Sequence, residues 1–382
     1  MSREIVILTE IIAPYRIPVF NALAVQPGVD LHVVFLAETD EALRQWRVYK
    51  NEIKFSHQVL PSWRWQMGKN NVLVNRGVLS ALNKANPRVI ICGGYNYAAS
   101  WLGLWWAKRH KAEFVLWSES NSRDTRSGAR RVEALKMFFL RRCDRFVVPG
   151  KASLEYLKSL GCPAGKIWTA PNAVDNDLFA SRAESARSQA AQIKEKLGLP
   201  ARFILFVGRM VPEKGVFDLL TAYAKLEDAL RSEVGLVFAG DGVSREELVE
   251  KAKAVNPGAI CFPGFAQRDD LASLYAFAEG LVLPTHSDTW GLVVNEAMAC
   301  GLPVIVSDVA GCVPDLVEDG WNGYVVPVKD SEKLSMAMDA LLRKSELRQE
   351  MKDRSLERIR NYSPQACASG LAAAGLSLMG AQ

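Results

Sequence analysis

In GLVLPTHSDTWGLVVNEAMACGLPVIVSD, Gly280 to Asp308, two short β-branched runs flank an Ala-rich segment. GLVLPT ends one strand and PVIVSD starts the next, which leaves TWGLVVNEAMACG as a loop and short helix, stopped by Gly301 and followed by Pro303. That is a strand, a crossing helix and a second strand of a parallel sheet. Asp288 falls in the loop and Glu296 about two turns into the helix, so they lie up to about 12 Å apart along its axis. Between them the N–H groups of Gly291, Leu292 and Val293 form an exposed helix N-terminus, where glycine lets a phosphate approach the backbone. Two acids beside a phosphate site suit the hydroxyls of a ribose and of a second sugar, the shape of a nucleotide sugar. The plainer reading is that Asp288 caps the helix and Glu296 is solvated.

The same alternation runs along the chain. EIVIL, LHVVFL, RVIICGG, EFVLW and RFVVPG form one set of runs, and FILFVGR, GLVFAGDG, ICFPG, GLVLPT and PVIVSD a second. A polar, Ala-rich stretch from about Asp175 to Pro200 separates them, and 382 residues exceed what one core usually fills. The expectation is an α/β chain of two doubly wound, Rossmann-like domains, whose ligands bind outside the carboxyl ends of the strands, in a cleft between the two. FILFVGRMVPEKG ends a strand in the second set, and its Gly208, Arg209 and Lys214 fall in the following loop, where two cations can hold a diphosphate. A loop of this kind elsewhere would be solvated surface.

Charge divides the chain. Residues 1–171 carry 25 Lys+Arg against 13 Asp+Glu, net +12, and the remainder 22 against 29, net −7. The basic part also holds eight of the ten tryptophans, in places such as PSWRWQMGKN, and RSGARRVEALKMFFLRRCDR mixes arginines with Met137, Phe138, Phe139 and Leu140. Two readings stand side by side: peripheral contact with an anionic membrane, or a buried apolar face under solvated arginines. Nucleic acid is disfavoured, since no recognition signature is present and the other half is acidic. No apolar stretch approaches the roughly 20 residues of a spanning helix, and MSREIVILTEII reads as a first strand rather than a secretory signal. Seven scattered cysteines without a Cys-x-x-Cys pair read as reduced thiols, hence cytoplasm, with the inner face of the cytoplasmic membrane as the place of any membrane contact.

VGRMVPEKGVFDLLTAY, VFAGDG, FPGF and SDTWGLVVNEAMACGLPVIVSDVAGCVPDLVEDGWNGYVV together resemble the C-terminal half of the GT-B retaining glycosyltransferases of family 4. The match runs from about Phe203 to Asp330; APNAVDNDLF resembles the family's interdomain linker. The resemblance implies an acceptor-binding domain over 1–174, a donor-binding domain over 175–362, and a last helix, 363–382, crossing back to the first domain. It implies that Arg209 and Lys214, with Gly208, bind the donor diphosphate, Glu296 the ribose, the Gly264-Phe265 turn the base, and the N–H groups near Gly291, Leu292 and Val293 the phosphate and sugar. Asp288 stands at the first acid of the Glu-x7-Glu motif that touches the transferred sugar, one methylene short.

The first half departs further from the family: TEIIAPYRIPVF lacks the usual glycine pair, and EFVLW is followed by Ser118-Glu119-Ser120 where many relatives have histidine. Glu119 is the nearest polar substitute, as a catalytic carboxylate near donor sugar or acceptor hydroxyl; a structural carboxylate paired with Arg123 or Arg126 is the other reading. By position, Glu10, Tyr15, Arg16 and the segment from Trp63 to Asn70 line the acceptor side. Asp175-Asn176-Asp177 mimics a metal-binding Asp-x-Asp but reads as a turn, and His286 as a packing or donor-lining residue. The expected activity is metal-independent, retaining hexosyl transfer from a nucleotide sugar, UDP ahead of GDP, to a saccharide or lipid-linked glycan, with no cofactor, in envelope polysaccharide or glycolipid assembly. A sugar-nucleotide epimerase and a non-catalytic membrane scaffold are the alternatives.

Overall fold

Parallel strands covered on both faces need unbroken apolar runs, and the strands of this chain consist of them. The computed structural model describes residues 4–40, 45–67, 70–123, 130–256 and 259–379. It divides into two compact units, one of residues 1–174 with 363–382, the other of residues 175–362.

The strands of the first unit are β1 (Ile5–Thr9), β2 (Leu31–Phe35), β3 (Ser56–Val59), β4 (Ser62–Met67), β5 (Asn70–Asn75), β6 (Val89–Gly93), β7 (Glu113–Trp117), β8 (Arg145–Val148) and β9 (Ile167–Thr169). Seven of them form a parallel sheet in the order β3-β2-β1-β6-β7-β8-β9. Alternate residues serve opposite faces, as strand geometry requires: Ile5 and Ile7 enter one core, Val6 and Leu8 the other. β4 and β5 form a separate antiparallel hairpin with Trp63 opposite Val74 and Arg64 opposite Leu73, an element the sequence reading did not foresee. Its tryptophans, Trp63 and Trp65, point outward, and Leu73 is buried.

The second unit contains β10 (Arg202–Val207), β11 (Val234–Ala239), β12 (Ile260–Gly264), β13 (Gly280–Leu283), β14 (Val304–Ser307) and β15 (Gly323–Val326), in the order β12-β11-β10-β13-β14-β15. The chain winds outward from β10 in one direction and from β13 in the other. The gap between these two strands is therefore the switch point where an open parallel sheet receives ligands. In the first unit the corresponding point lies between β1 and β6.

The polar stretch after Asp175 is a pair of helices, Asn176–Arg187 and Ala190–Leu197, that opens the second unit. One local expectation needs correction. Asp175 is no turn residue: its carboxylate caps the first of these helices by accepting the Leu178 N–H at 3.0 Å.

The last helix, Pro364–Met379, packs on the first unit, burying Cys367, Ala368, Leu371, Ala372 and Ala374 in the core that holds β1. Its small residues permit close approach, and a Cβ added at Gly370 would sit 2.3 Å from the Thr169 carbonyl oxygen at the end of β9. Backbone cannot yield as a flexible side chain does. Gly370→Ala should therefore lower stability by about 2 kcal/mol, a fall of roughly 4–8 °C in the melting temperature of the unit. Unchanged melting would show that the helix does not sit this close.

Candidate functional site: two clamped loops at the switch point of the second sheet

The loops after β10 and β13 leave neighbouring strands at the switch point, and they interlock through backbone. Gly215 takes a positive φ of 69°, and a Cβ there would lie 1.9 Å from the Pro284 carbonyl oxygen, so no other residue fits. His286 donates its N–H to the Glu213 carbonyl at 2.8 Å, and the Thr285 hydroxyl donates to the same oxygen at 3.1 Å. The His286 ring meets the Asp218 carboxylate at 2.5 Å, which ties the second loop to the helix Val216–Ala224 that follows the first. The second loop is also held on its far side, where Gly311 and Cys312 donate to the carbonyls of Asp288 and Trp290.

This interlock brings Lys214 to Asp288, Nζ to Oδ2, at 2.5 Å, with both side chains mostly buried. The sequence reading placed both residues near a donor but did not pair them. Gly291 starts the helix Leu292–Ala299, whose first N–H groups, those of Leu292 and Val293 among them, have no acceptor within the helix. Asp288 lies just outside that end, with its Oδ1 3.4 Å from the Trp290 N–H. Trp290 is buried, and its indole N–H donates to Asn295 at 2.8 Å, which fixes the loop to the helix it precedes.

Glu296 is the fifth residue of the helix, little more than one turn in rather than two. It is not a solvated helix residue, because the Tyr275 hydroxyl donates to its Oε2 at 2.7 Å. Burial pushes the Glu296 carboxyl up to about 7, against the pull of that hydrogen bond, and burial together with Glu296 raises the Tyr275 phenol. Tyr275 was missed in the sequence, where LASLYAF shows only the apolar stripe of a helix. Arg209 is exposed in the loop after Gly208, and at the end of β12 the Gly264 carbonyl accepts the Gly240 N–H at 2.8 Å while Phe265 presents an exposed ring. The second unit thus assembles cations, two acids, a helix end and an aromatic ring from loops at one edge of its sheet.

The first unit carries its own cluster at its carboxyl edge. Glu119, after β7, pairs with Arg16 rather than with Arg123; Arg126 lies outside the described residues. The Arg16 guanidinium stacks 3.8 Å over Trp117 and 5.3 Å from the Tyr15 ring, itself edge-on to Trp46. Burial alone would lower the Arg16 pKa, but the charge and hydrogen bond of Glu119, with smaller contributions from Tyr15 and Cys367, together more than offset it and hold the guanidinium above its ordinary value. Glu10, after β1, accepts from Arg64 of the hairpin at 3.2 Å, and Arg64 also binds the buried Asp40. Burial and a hydrogen bond to Glu10 raise the Tyr97 phenol, so groups following β1 and β6 meet at that sheet's switch point. Of the Trp63 to Asn70 segment, residues 68–69 lie outside the described residues. No group of three or more His, Cys, Asp or Glu among the described residues has the arrangement of a metal site, and no described helix is long and apolar enough to cross a membrane.

Two family models match the chain in tandem: "Glycosyltransferase Family 4" over residues 22–178 and "Glycosyl transferases group 1" over residues 189–358. Among curated proteins, a sulfoquinovosyl transferase of Arabidopsis thaliana is 33% identical over 219 residues, 56% of this chain and 40% of that protein. The alpha-D-kanosaminyltransferase of Streptomyces kanamyceticus is 33% identical over 208 residues, 54% of this chain and 51% of that one. The chain thus spans about half or less of the length of these relatives. Among solved structures, Anabaena HepE in complex with UDP and glucose superposes with a TM-score of 0.76 at 17% identity, covering 98% of this chain and 100% of that one. A glycosyltransferase from Rickettsia africae gives 0.77 at 15% identity over the full length of both. The fold is that of GT-B glycosyltransferases. With both domain models matched in order and the motif loops of the second in place, the chain belongs to glycosyltransferase family 4.

Proposed function

We propose that the chain moves a hexosyl unit from a nucleotide sugar, UDP ahead of GDP, to a saccharide or lipid-linked glycan, with retention and without a divalent metal. The observation that carries this reading is the Lys214–Asp288 pair beside the N-terminus of the helix that bears Glu296. A nucleotide diphosphate leaves with negative charge spread over its phosphate oxygens. Lys214, Arg209 and the N–H groups at Leu292 and Val293 are donors set out before that charge develops, which is the arrangement that stabilises it best.

In this reading Lys214 turns from Asp288 to the phosphates when donor binds, and the released carboxylate accepts a hydroxyl of the transferred sugar. Glu296 accepts the ribose hydroxyls, and Phe265 stacks on the base. Glu119, held in place by Arg16, serves the reacting sugar or the acceptor hydroxyl, with Glu10 and Tyr15 on the acceptor side. The names of the curated relatives, transferases of sugar residues, and the UDP in the HepE structure support testing sugar transfer from UDP donors first. Envelope polysaccharide or glycolipid assembly is the setting that suits the basic first half.

The first test is thermal shift of the chain with UDP, GDP, ADP and dTDP. One base should raise the melting temperature, and Glu296→Ala should abolish the rise; no rise with any of them would sink the donor-site reading. Asp288→Asn separates the two jobs of the ion pair. Freed of its partner, Lys214 should hold nucleotide as well as before or better, while kcat falls about 100-fold. A parallel loss of nucleotide affinity would mean that Asp288 merely supports the loop. Turnover should survive EDTA, and its abolition would overturn the metal-independent part.

Glu296 also predicts a pH dependence. Its folded pKa, about 7, lies above the ordinary 4.5, so the empty fold favours the neutral carboxyl. Stability from this group is complete below about 4.5 and lost as pH rises through about 7. Glu296→Gln should therefore melt together with the parent protein at pH 4 and above it at pH 8, by an upper limit of about 3 kcal/mol. A pH-independent difference would contradict the shift.

A further inference from the structure

The helices Ala98–His110 and Arg130–Leu140 of the first unit lie side by side, because Trp101 packs on both Phe138 and Phe139. The Trp101 and Phe138 rings stack with centroids 6.2 Å apart and planes 22° from parallel, and Phe139 meets Trp101 edge-on at 4.9 Å. Their inner faces, including Leu104, Trp106, Phe139 and Leu140, fill the core on one side of the sheet. Their outer faces should then be polar. Instead Leu102 is 37% exposed, Trp105 56%, Leu135 55% and Phe138 47%. Leu102 and Trp105 are three residues apart, as are Leu135 and Phe138, so each pair stands on one outward stripe of its helix. Single exposed apolar residues are ordinary, whereas four on adjoining stripes mark a surface that meets something.

The rim of this surface says what. Arg109 and Lys111 stand exposed where the first helix ends, and Arg141 and Arg142 where the second does. The Arg142 guanidinium lies 3.3 Å over the Phe138 ring, joining a cation to the apolar patch itself. Basic side chains at helix C-termini complement the helix dipole anywhere, but that leaves the four exposed apolar groups unexplained. A tryptophan, a phenylalanine and two leucines edged by arginine and lysine have the composition of an interfacial element, with rings at headgroup depth and cations at the lipid phosphates. The net +12 of residues 1–171 adds to the same attraction.

We infer that the paired outer faces of these helices, through Leu102, Trp105, Leu135 and Phe138 with Arg109 and Arg142 at their edge, seat the chain on an anionic phospholipid bilayer. The inference concerns the surface and not the transfer reaction, so it is tested without donor and its failure leaves the proposed activity standing.

The test is flotation of the full chain with vesicles of phosphatidylcholine alone and with about 30% phosphatidylglycerol added. The protein should float with the anionic vesicles only and be released at about 0.5 M salt, where the screening length falls to a few ångströms. Trp105→Ser combined with Phe138→Ser should weaken the partition at least about tenfold, Arg109→Gln with Arg142→Gln should act on anionic vesicles, and Met336→Ser, an exposed apolar residue of the second unit, should change nothing. Should the double serine variant misfold, quenching by brominated lipid in the native chain against Trp105→Phe reads the same contact, and quenching should fall in the variant. Absence of flotation, equal flotation of native chain and folded serine variant, or quenching unaltered by Trp105→Phe would overturn the inference. So would self-association that the serine variant abolishes, which would make the patch an interface between copies of the chain.

Discussion

The carbonyl of Pro284 lies where a side chain at position 215 would have to be, and the donor-side geometry depends on that contact. Loops after neighbouring parallel strands begin only about 5 Å apart, and ordinary side chains would wedge them open. With glycine at the meeting point they close until His286 and Thr285 bond to the Glu213 carbonyl. Only then do Lys214 and Asp288, 74 residues apart in sequence, come within bonding distance. The acid pair, the helix end and the cation are consequences of one backbone approach at the switch point.

That approach sets an electrostatic problem and solves it in the same place. A mostly buried lysine without a counterion would lose charge or stability, and the same holds for a buried aspartate. Paired, each offsets much of the other's desolvation, so the empty site is stable with its charges already aimed. On the proposed reading a diphosphate, which carries more negative charge than one carboxylate, competes for Lys214 and leaves Asp288 available to a hydroxyl. The side chain of Asp288, shorter than the Glu of the family motif, keeps its carboxylate at the loop against Lys214. Glu296 takes the opposite course: it has a phenol rather than a cation for a partner, and its carboxyl is accordingly pushed toward neutrality.

Period and punctuation made the sheets readable in the sequence. β-branched runs closed by Gly and Pro mark most strands of both units, and the loop residues Gly208, Arg209, Lys214, Asp288 and Gly291 could be named because they follow strand ends directly. What stayed hidden was set by contacts remote in sequence. LASLYAF gives no sign that Tyr275 faces Glu296, and nothing near Glu119 points to Arg16, 103 residues away. The hairpin β4–β5 was illegible for a different reason. Its outward residues are Trp63 and Trp65, its inward ones Arg64 and Leu73, and this inversion of the usual pattern follows from the ion pairs that Arg64 makes with the buried Asp40 and the half-buried Glu10. The Asp-rich Asp175 segment misled because the same residue types serve turns and helix caps, and only the following helix distinguishes them.

The division of charge along the chain fits this local picture better than a global one. A part with net −7 is an unpromising receiver of a nucleotide diphosphate if net charge decides binding. At physiological salt, however, exposed charges farther than about 8 Å are largely screened, so a phosphate responds mainly to the few groups that surround it. On the proposed reading Lys214, Arg209 and the N–H groups of the helix end act at contact distance, and the attraction is least weakened at the mostly buried Lys214. Net charge exerts itself instead over extended surfaces, where many weakly screened contacts add together. The +12 of residues 1–171 can therefore matter to a bilayer while the −7 of the remainder barely matters to a small anion. On the proposed reading each sign of charge lies where its effect on its own partner is appropriate: local cations in an acidic unit that must release its spent nucleotide, and a broad basic face on the unit that carries the exposed aromatic rings.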